Sequence, residues 1–129
     1  MSDAGLVVDA SAVLALLKSE TFDRFDPERL VGASISTVNF SEVLAKLTSG
    51  GLPEAAADAA VAALDLRVVV FTADQARAAA RLWQPTRRVG LSLADRACLA
   101  LGLELGMPVV TADRIWAGLK IGVEIVLIR

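Results

Sequence analysis

Four acidic residues in this sequence stand where a parallel α/β fold would bring them to one edge of its sheet. Asp9 directly follows an apolar run in LVVDASAVLALL, and Glu42 falls in the first helical turn of STVNFSEVLAKL. Asp95 opens the helical pattern LSLADRACLALG, and Asp113 follows the valines of PVVTADRIW. Two carboxylates about 4 Å apart repel by on the order of 4 kcal/mol at an effective dielectric of about 20, so such a cluster must bind a proton or a cation.

The residue types limit the chemistry that this cluster can support. The chain has no His and no Tyr, which excludes His-dependent triads, His-ligated zinc and His general bases. Oxygen-only ligands favour the hard cations Mg²⁺ and Mn²⁺ over zinc. A hard cation held by acids suits phosphodiester hydrolysis, in which the metal activates water and stabilises the leaving oxygen.

Each acid also has a simpler interpretation as helix chemistry. Asp95 can complete a capping box with Ser92. Asp9 and Asp113 can cap the turns that follow them, and Glu42 can lie on a solvated helix face. A metal site is favoured over these separate explanations because it accounts for all four acids at one edge.

The tripeptide TAD follows a valine-rich run twice, and the two copies are predicted to differ in role. In a sheet of order 3-2-1-4-5 the third strand is peripheral, so Asp74 is remote from Asp9 and only starts a helix. Thr72 and Gln75 then form the capping box T-x-x-Q. Asp113 instead lies beside Asp9 across the switch point between strands one and four, where ligand sites of open α/β sheets gather.

The elements that position these residues alternate as expected for an α/β fold. Short β-branched runs between longer helical patterns predict a three-layer α/β/α domain with a mostly parallel central sheet. A length of 129 residues fits a single domain, 1–129. Residues 85–91 are expected to return from the bottom of a helix at 73–84, so that Asp95 reaches the acidic edge. The predicted strands are 6–9, 33–36, 67–71, 108–111 and 123–128, and the predicted helices lie near 11–19, 23–31, 39–49, 54–65, 73–84 and 92–106, with a turn at 114–118.

Composition restricts the location and the partners of the protein. No apolar run reaches the roughly 18 residues of a membrane span, and the first apolar stretch lacks a basic leader, so we expect a cytoplasmic protein without a membrane partner. The net charge of −2 argues against non-specific coating of nucleic acid. The single cysteine, Cys98, has no partner for a disulfide and is expected to fill the core.

The segments DASA, SEVLAKL, LSLADRACLALG and PVVTADRIW together resemble the PIN-domain ribonucleases, in particular the VapC-type toxins of prokaryotic toxin–antitoxin pairs. The resemblance covers essentially the whole chain. It implies a metal-dependent endoribonuclease that cuts RNA through a water activated by Mg²⁺ or Mn²⁺. Asp9 and Asp95 match the principal metal ligands of the family, and Glu42 and Asp113 match the other acids of its quartet.

The same resemblance implies further contacts and partners. Thr111 matches a hydroxyl residue beside the last acid, and Asn39 is a weaker candidate for a polar contact. VapC-type toxins are usually homodimers inhibited by a small antitoxin, whose tail lies in a groove beside the active site. Here that groove would be lined by Ser11 to Leu17 and the segment around Phe22 and Phe25, unless these residues are simply core. The arginines that flank the site in sequence, and are predicted to meet RNA phosphates or antitoxin carboxylates, are Arg87, Arg88, Arg96 and Arg114.

Two alternatives remain open from the sequence. A receiver-type phosphoacceptor domain shares the acidic edge but requires a Lys after the last strand, where this chain ends in LIR. A non-catalytic α/β binding module, whose acids serve only as helix caps, is the more serious alternative. A haloacid-type phosphatase is disfavoured because it requires an Asp at the position of Ser11.

Overall fold

A parallel sheet forms the centre of the molecule, which is described here from residue 5 to residue 129 by a computed structural model. Its strands are β1 (Val7–Val8), β2 (Ser34–Ser36), β3 (Arg67–Val69), β4 (Val109–Thr111) and β5 (Ile125–Leu127). They are arranged in the order β3-β2-β1-β4-β5, and every neighbouring pair is parallel. The predicted fold class and strand order are therefore confirmed. The helices are α1 (Ala10–Leu17), α2 (Thr37–Ser49), α3 (Glu54–Ala62), α4 (Ala73–Arg81), α5 (Trp83–Thr86) and α6 (Leu93–Leu105), with 3₁₀ turns at Pro27–Leu30 and Arg114–Gly118.

Two apolar cores lie on opposite faces of the sheet. Successive residues of a strand point to opposite faces, so Val8 packs with Ile35 and the helices α1, α2 and α3. Val7 packs on the other side with Leu99, Trp116 and the helices α4 and α6. Because helices cover two faces of one sheet, the fold has the three predicted layers.

The order of the strands places a switch point beside β1. Val7 is in register with Ser34 of β2 on one side and with Val109 of β4 on the other. The chain leaves β1 through α1 on one face and enters β4 from α6 on the opposite face. The crevice at the carboxyl ends of β1 and β4 is therefore the expected ligand position of this sheet.

Helix α6 approaches β4 so closely that only glycine fits at their contact. A Cβ atom at Gly102 would overlap the Val109 side chain and would lie 3.1 Å from a Val123 methyl and 3.3 Å from the Met107 carbonyl oxygen. The helix ends at Gly106, whose φ of 64° is in the left-handed region. These contacts fix the position of α6, and hence of its first turn, relative to β4.

The predicted helix at 23–31 is wrong. Only Pro27–Leu30 is helical, as a 3₁₀ turn capped by Asp26. A residue before proline is disfavoured in the α region, and the backbone N–H groups of Asp23 and Arg24 instead donate to the carbonyl of Ile128. This segment is therefore hydrogen-bonded to the residue that follows β5.

The other elements differ from prediction mainly at their ends. All five strands are shorter than predicted, and α2 begins at Thr37 because the Ser36 hydroxyl caps it by accepting from Val38 N–H. The predicted helix 73–84 divides at Leu82 into α4 and α5. The longest helices have 13 residues, and none within residues 5–129 combines the length and apolar character needed to cross a membrane.

Helices α4 and α6 run antiparallel, which changes the predicted path to Asp95. In the first turn of α4, Gln75 Nε2 donates to Glu104 near the end of α6 at 2.8 Å. In the last turn of α4, the Ala79 carbonyl accepts from Arg96 near the start of α6 at 3.0 Å. The end of α4 therefore already lies beside the start of α6, and residues 85–91 do not need to return along a helix. The prediction that Asp95 reaches the acidic edge holds by this shorter route.

Candidate active site

Asp9 lies at the carboxyl end of β1 and is the most buried of the four acids, with 5% of its surface exposed. It is the N-cap of α1, and its Oδ1 accepts from Ala12 N–H at 2.9 Å. The simpler interpretation as a helix cap is thus correct. One such contact is sufficient for a cap, however, and this carboxylate makes several more.

Two hydroxyl groups bind the Asp9 carboxylate, one from the end of β4 and one from the first turn of α1. Thr111 Oγ1, at the end of β4, donates to Asp9 Oδ2 at 2.6 Å. Ser11 Oγ lies 2.9 Å from Oδ1 and 2.8 Å from Oδ2. Hydrogen bonds to an ionised acceptor are about twice as strong as neutral ones, so these contacts fix the orientation of the carboxylate.

Burial nevertheless makes Asp9 an unusual acid. Desolvation raises its pKa from 3.8 to about 6, because the opposing effect of the hydrogen bonds from Thr111, Ala12 and Ser11 is smaller; the negative charge of Asp95 also raises the pKa. A carboxyl group with a raised pKa in a crevice is typical of functional sites. Of the four acids, Asp9 is also the one whose charged form a bound cation would stabilise most.

The same hydroxyls connect Asp9 to the segment that carries Asp113. The N–H of Asp113 donates to Thr111 Oγ1 at 3.0 Å, and the N–H of Ala112 donates to Ser11 Oγ at 2.9 Å. Asp113 therefore follows β4 directly beside Asp9, as predicted from the strand order. Thr111 also lies where it was predicted, next to the last acid.

Asp95 and Asp113 also make the capping contacts of their simpler interpretation. Ser92 and Asp95 form a reciprocal capping box, with Ser92 N–H donating to Asp95 Oδ2 at 3.0 Å and Asp95 N–H donating to Ser92 Oγ at 3.1 Å. Asp113 Oδ1 accepts from Ile115 N–H at 3.0 Å and caps the following 3₁₀ turn. Each of these two carboxylates is half-buried.

Asn39 joins the first turn of α2 to the first turn of α6 and thereby brings Glu42 close to Asp95. Its side chain is 1% exposed, and Nδ2 donates to the carbonyl of Ala94 at 3.0 Å while reaching Glu42 Oε1 at 3.5 Å. No donor within residues 5–129 reaches its buried Oδ1. An unsatisfied buried oxygen costs about 1–3 kcal/mol, so this position favours an additional hydrogen-bond donor.

Three of the acids lie near Cys98 of α6. Burial raises the pKa of the Cys98 thiol well above its ordinary value, and the negative charges of Asp9, Asp95 and Glu42 raise it further. Cys98 itself is a buried free thiol in the core, as predicted. Across residues 5–129, however, no three acidic, His or Cys side chains are grouped closely enough to hold a metal ion. The acids therefore share one edge without forming a finished coordination shell.

The donors at this edge fit a hard divalent ion by their chemistry. They are all oxygens, they include a buried carboxylate with a raised pKa, and the unpartnered Oδ1 of Asn39 is adjacent. Releasing Asp95 or Asp113 from its cap costs roughly 0.5–2 kcal/mol. A bound ion can offset this cost, since a ligand at about 100 times its Kd stabilises the folded protein by roughly 2.7 kcal/mol.

The two arginines that follow predicted ligands differ in their surroundings. Arg96 is half-buried, and its Nη1 is bound to the α4 carbonyl of Ala79. Arg114 is exposed at the start of the 3₁₀ turn, immediately after Asp113. Only Arg114 is available to a phosphate in this arrangement. The predicted contact from Arg96 would first require its bond to α4 to break.

The segment predicted to line a partner groove is largely core. Phe25 is buried, and Phe22 packs half-buried against the same cluster. The Arg29 guanidinium lies 4.7 Å from the centre of the Phe25 ring and covers it. The interpretation of Phe25 as ordinary core packing is therefore correct, which leaves the half-buried leucines of α1 as the apolar part of that surface.

The TAD sequence at residues 72–74 has the role predicted for it, with one difference. Thr72 Oγ1 accepts from Gln75 N–H at 3.2 Å and caps α4. The Gln75 side chain does not complete the box, because it donates to Glu104 instead. Asp74 is exposed and pairs with Arg77 at 2.8 Å; both lie in α4, which follows the peripheral strand β3.

Ser11 is missing from the predicted site, although it contacts Asp9, Ala112 and Thr111. The signal for it is the DASA sequence itself. A hydroxyl two residues after an N-cap acid lies in the first helical turn, where it can bond back to that acid. Its bond to the Ala112 backbone depends on the pairing of β1 with β4 and has no local signal.

A model of the PIN domain family matches residues 6–121 of the chain. None of the curated proteins matches the sequence. The structural comparisons, in contrast, extend over almost the whole chain.

Three solved structures are similar in fold. VapBC2 from Rickettsia felis, bound to a DNA fragment from its promoter, is 11% identical, with a TM-score of 0.73 and coverage of 93% of this chain and 96% of that chain. VapC20 from Mycobacterium tuberculosis, a sarcin–ricin loop cleaving toxin, is 21% identical, with a TM-score of 0.69 and coverage of 93% and 99%. A VapBC-5 toxin–antitoxin system from Mycobacterium tuberculosis is 24% identical, with a TM-score of 0.64 and coverage of 98% and 99%.

Proposed function

The chain belongs to the PIN domain family, and from this premise we propose that it is a Mg²⁺- or Mn²⁺-dependent endoribonuclease that acts as the toxin of a type II toxin–antitoxin pair. The observation that carries the proposal is Asp9. It is a buried carboxylate at the β1/β4 switch point, held by two hydroxyls beyond its helix cap and influenced by the charge of Asp95. Folding alone does not require the hydroxyl contacts to Asp9, since the hydrogen bond from Ala12 N–H already caps α1.

In the proposed site each residue of the chain has a distinct role. Asp9 and Asp95 hold the divalent ion, which when bound supplies an activated water and neutralises charge on the leaving oxygen. Thr111 and Ser11 keep the Asp9 oxygens oriented. Glu42 and Asp113 complete the acidic edge and orient the attacking water or a second ion.

Two further residues act on the substrate side of the proposed site. The unpartnered Oδ1 of Asn39 accepts a hydrogen bond from a water held between Glu42 and Asp95. Arg114, exposed directly after Asp113, binds an RNA phosphate. Arg96 contributes by holding α4 against the start of α6 and reaches the RNA only after leaving the Ala79 carbonyl.

The proposed partners are an RNA substrate, a small cognate antitoxin protein and a second copy of the chain. Two of the similar structures are VapBC2 and a member of the VapBC family of toxin–antitoxin systems, and VapC20 is a sarcin–ricin loop cleaving toxin. An antitoxin tail would supply groups that cover the acidic edge. Action on RNA together with such an antitoxin agrees with the cytoplasmic location predicted from the sequence.

The observed caps keep one non-enzymatic function as a second candidate. Asp9, Asp95 and Asp113 each accept from a backbone N–H in the way that a structural acid would. In that case the protein is a binding module and the acids have no role in catalysis. A receiver-type domain is no longer a candidate, because its strand order of 2-1-3-4-5 differs from the order observed here.

The two TAD sequences provide a matched experiment. Purified wild-type protein and the Asp9→Asn, Asp113→Asn and Asp74→Asn variants are incubated with total RNA and Mg²⁺ or Mn²⁺, and the new RNA ends are mapped. We expect cleavage by the wild type and by Asp74→Asn, whose carboxylate pairs only with Arg77 at the surface. Asp9→Asn should lose cleavage by more than the roughly 10- to 100-fold that removal of an outer-shell partner costs, because it removes a proposed metal ligand. Equal cleavage by all four proteins would indicate a contaminating nuclease and would refute the proposal.

A further inference from the structure

Trp83 is a large aromatic residue whose side chain belongs to neither apolar core. It is 54% exposed and is the first residue of α5, one helical turn after Ala79. The carbonyl of Ala79 is bound by Arg96, the residue that follows Asp95. The last turn of α4, just before Trp83, therefore lies beside the first turn of α6, at the same end of the molecule as the acidic edge.

The segment that carries Trp83 is strongly basic within an acidic protein. Residues 76–94 contain four arginines and no Asp or Glu, although the chain as a whole has a net charge of −2. Arg87 and Arg88, just after α5, are exposed. The ion pairs within residues 5–129 are Arg77–Asp74 and Arg129–Glu20, so neither Arg87 nor Arg88 is paired with a carboxylate there.

We propose that Trp83 is a stacking platform for an unpaired base of the RNA substrate, and that Arg87 and Arg88 bind the phosphates on either side of that base. The inference rests on the proposed function and identifies the substrate segment as single-stranded. Bases of single strands can be splayed out and stacked on exposed aromatic rings, whereas duplex RNA hides them. The bond from Arg96, the residue after Asp95, to the last turn of α4 places this surface at the same end of α6 as the proposed cleavage site.

The charge of this surface favours RNA over a second copy of the chain as its occupant. A symmetric contact would place the same patch on the two partners, so Arg87 and Arg88 of one copy would face those of the other. Phosphates neutralise this cluster, and an aromatic ring among arginines is the combination that single-strand binding surfaces use. The experiment must therefore distinguish RNA binding from contact between two copies of the chain through Trp83.

The test measures RNA binding apart from cleavage and uses the tryptophans as probes. In an Asp9→Asn background, a single-stranded RNA oligonucleotide of adenosines is titrated and the indole fluorescence is followed. Trp116 is fully buried, so Trp83 is the indole that a stacked base can quench. Trp83→Ala should weaken binding on the order of tenfold and abolish the quenching, and Trp83→Phe should restore most of the affinity because it retains an aromatic face.

A matched pair of arginine variants tests the phosphate contacts. Arg88→Ala should weaken binding and lower the dependence of log Kd on log salt by about 0.7 to 1, as expected when one phosphate contact is lost. Arg67→Ala removes an equal charge at the start of β3, which is the opposite end of the strands from the acidic edge, and should leave the affinity and the salt dependence unchanged. If Trp83→Ala does not fold, Trp83→Phe, Arg88→Ala and the quenching of the unmodified indole still decide the question.

Three results would overturn the inference. The first is unchanged affinity in Trp83→Ala, the second is RNA binding without quenching of Trp83, and the third is a sedimentation profile in which Trp83→Ala only dissociates a dimer. Failure of the proposed function has a different signature, since the wild type would then bind RNA through Trp83 but cleave none with either ion. Conversely, the wild type and the Trp83→Ala variant could cleave RNA with equal kcat/KM. That result would support the proposed ribonuclease function and refute the stacking site at Trp83.

Discussion

The hydroxyl of Thr111 donates to the carboxylate of Asp9 at 2.6 Å, across the boundary between β4 and β1. It simultaneously accepts from the N–H of Asp113 at 3.0 Å. One side chain thus binds an acid 102 positions earlier in the chain together with the backbone of Asp113, and it orients the acid on which the site depends.

Replacing this hydroxyl tests its positioning role. Thr111→Val keeps the shape and removes the donor, so the pKa of Asp9 should rise further and folding stability should fall by about 1–3 kcal/mol, the cost of an unsatisfied buried polar group. Thr111→Ser keeps the donor and should retain most of the cleavage. The pH profile of cleavage separates the two variants, because only Thr111→Val should move its acidic limb to higher pH. Identical profiles would contradict the role assigned to Thr111.

The raised pKa of Asp9 predicts that the acid destabilises the metal-free fold at neutral pH. Its pKa rises from 3.8 to about 6 on folding, so between these values the folded state binds more protons than the unfolded state. Stability should therefore fall as pH rises through this window, by up to about 3 kcal/mol for a shift of roughly two units. Asp9→Asn, measured by urea unfolding in the presence of a chelator, should be more stable than the wild type at pH 7.

The difference between the two proteins should disappear below pH 3.8, where Asp9 is protonated in folded and unfolded states. Comparing variant and wild type at each pH cancels the titration of all other acids. A variant that is less stable than the wild type by the same amount at pH 4 and at pH 7 would show that the burial of Asp9 carries no ionisation cost.

Ser92 and Asp95 separate capping from catalysis, because they share one capping box. Ser92→Ala removes the cap and should cost about 0.5–2 kcal/mol of stability while leaving most of the cleavage intact, because Asp95 and the backbone N–H bound to its Oδ2 are unchanged. Asp95→Asn should lose cleavage with a similar or smaller effect on stability. Thermal unfolding and RNA cleavage are measured on the same preparations. Parallel loss of stability and activity in the two variants would favour a purely structural Asp95.

Divalent ions should stabilise the protein through the same acids. Saturating Mn²⁺ at about 100 times its Kd stabilises a folded protein by roughly 2.7 kcal/mol, which should raise Tm by several degrees in the wild type. Asp9→Asn should show little of this gain, and Asp74→Asn should show all of it. An equal shift in the three proteins would place the ion elsewhere, and the absence of any shift would support the binding-module alternative.

The contact of α6 with β4 is predicted to be intolerant of any side chain at Gly102. Gly102→Ala would force its Cβ into Val109, and overpacking of this kind typically costs about 1–3 kcal/mol. Gly118→Ala is the matched control, because no atom lies within 4 Å of a Cβ built there. Urea unfolding of the two variants compares them directly. If the Gly102 variant is as stable as the Gly118 variant, α6 can shift relative to β4, and the position of Asp95 is less fixed than described.

The strand order and the acidic edge could be predicted from the sequence, because hydrophobic period and the positions of acids after apolar runs are local signals. The resemblance to PIN domains is confirmed at the level of that family. The catalytic and metal-binding roles of Asp9, Glu42, Asp95 and Asp113 stay predictions. So do the roles assigned to Asn39 and Arg114.

What the sequence did not reveal depends on contacts between distant segments. The bond from Ser11 to the Ala112 backbone exists only after β1 and β4 pair. The antiparallel course of α4 follows from its contacts with α6, which no local pattern encodes. The helix expected at 23–31 failed because backbone bonds to Ile128 replaced helical ones.

The two-residue strand β1 has a consequence for how this protein can change over time. Val7 and Val8 belong to different cores, and Asp9 comes next. A slip of one position would exchange the contents of the two cores and turn the acid away from Thr111. Insertions and deletions between Val7 and α1 are therefore disfavoured by folding and by chemistry at once, so descendants of this chain can vary the side chains of β1 but not its spacing.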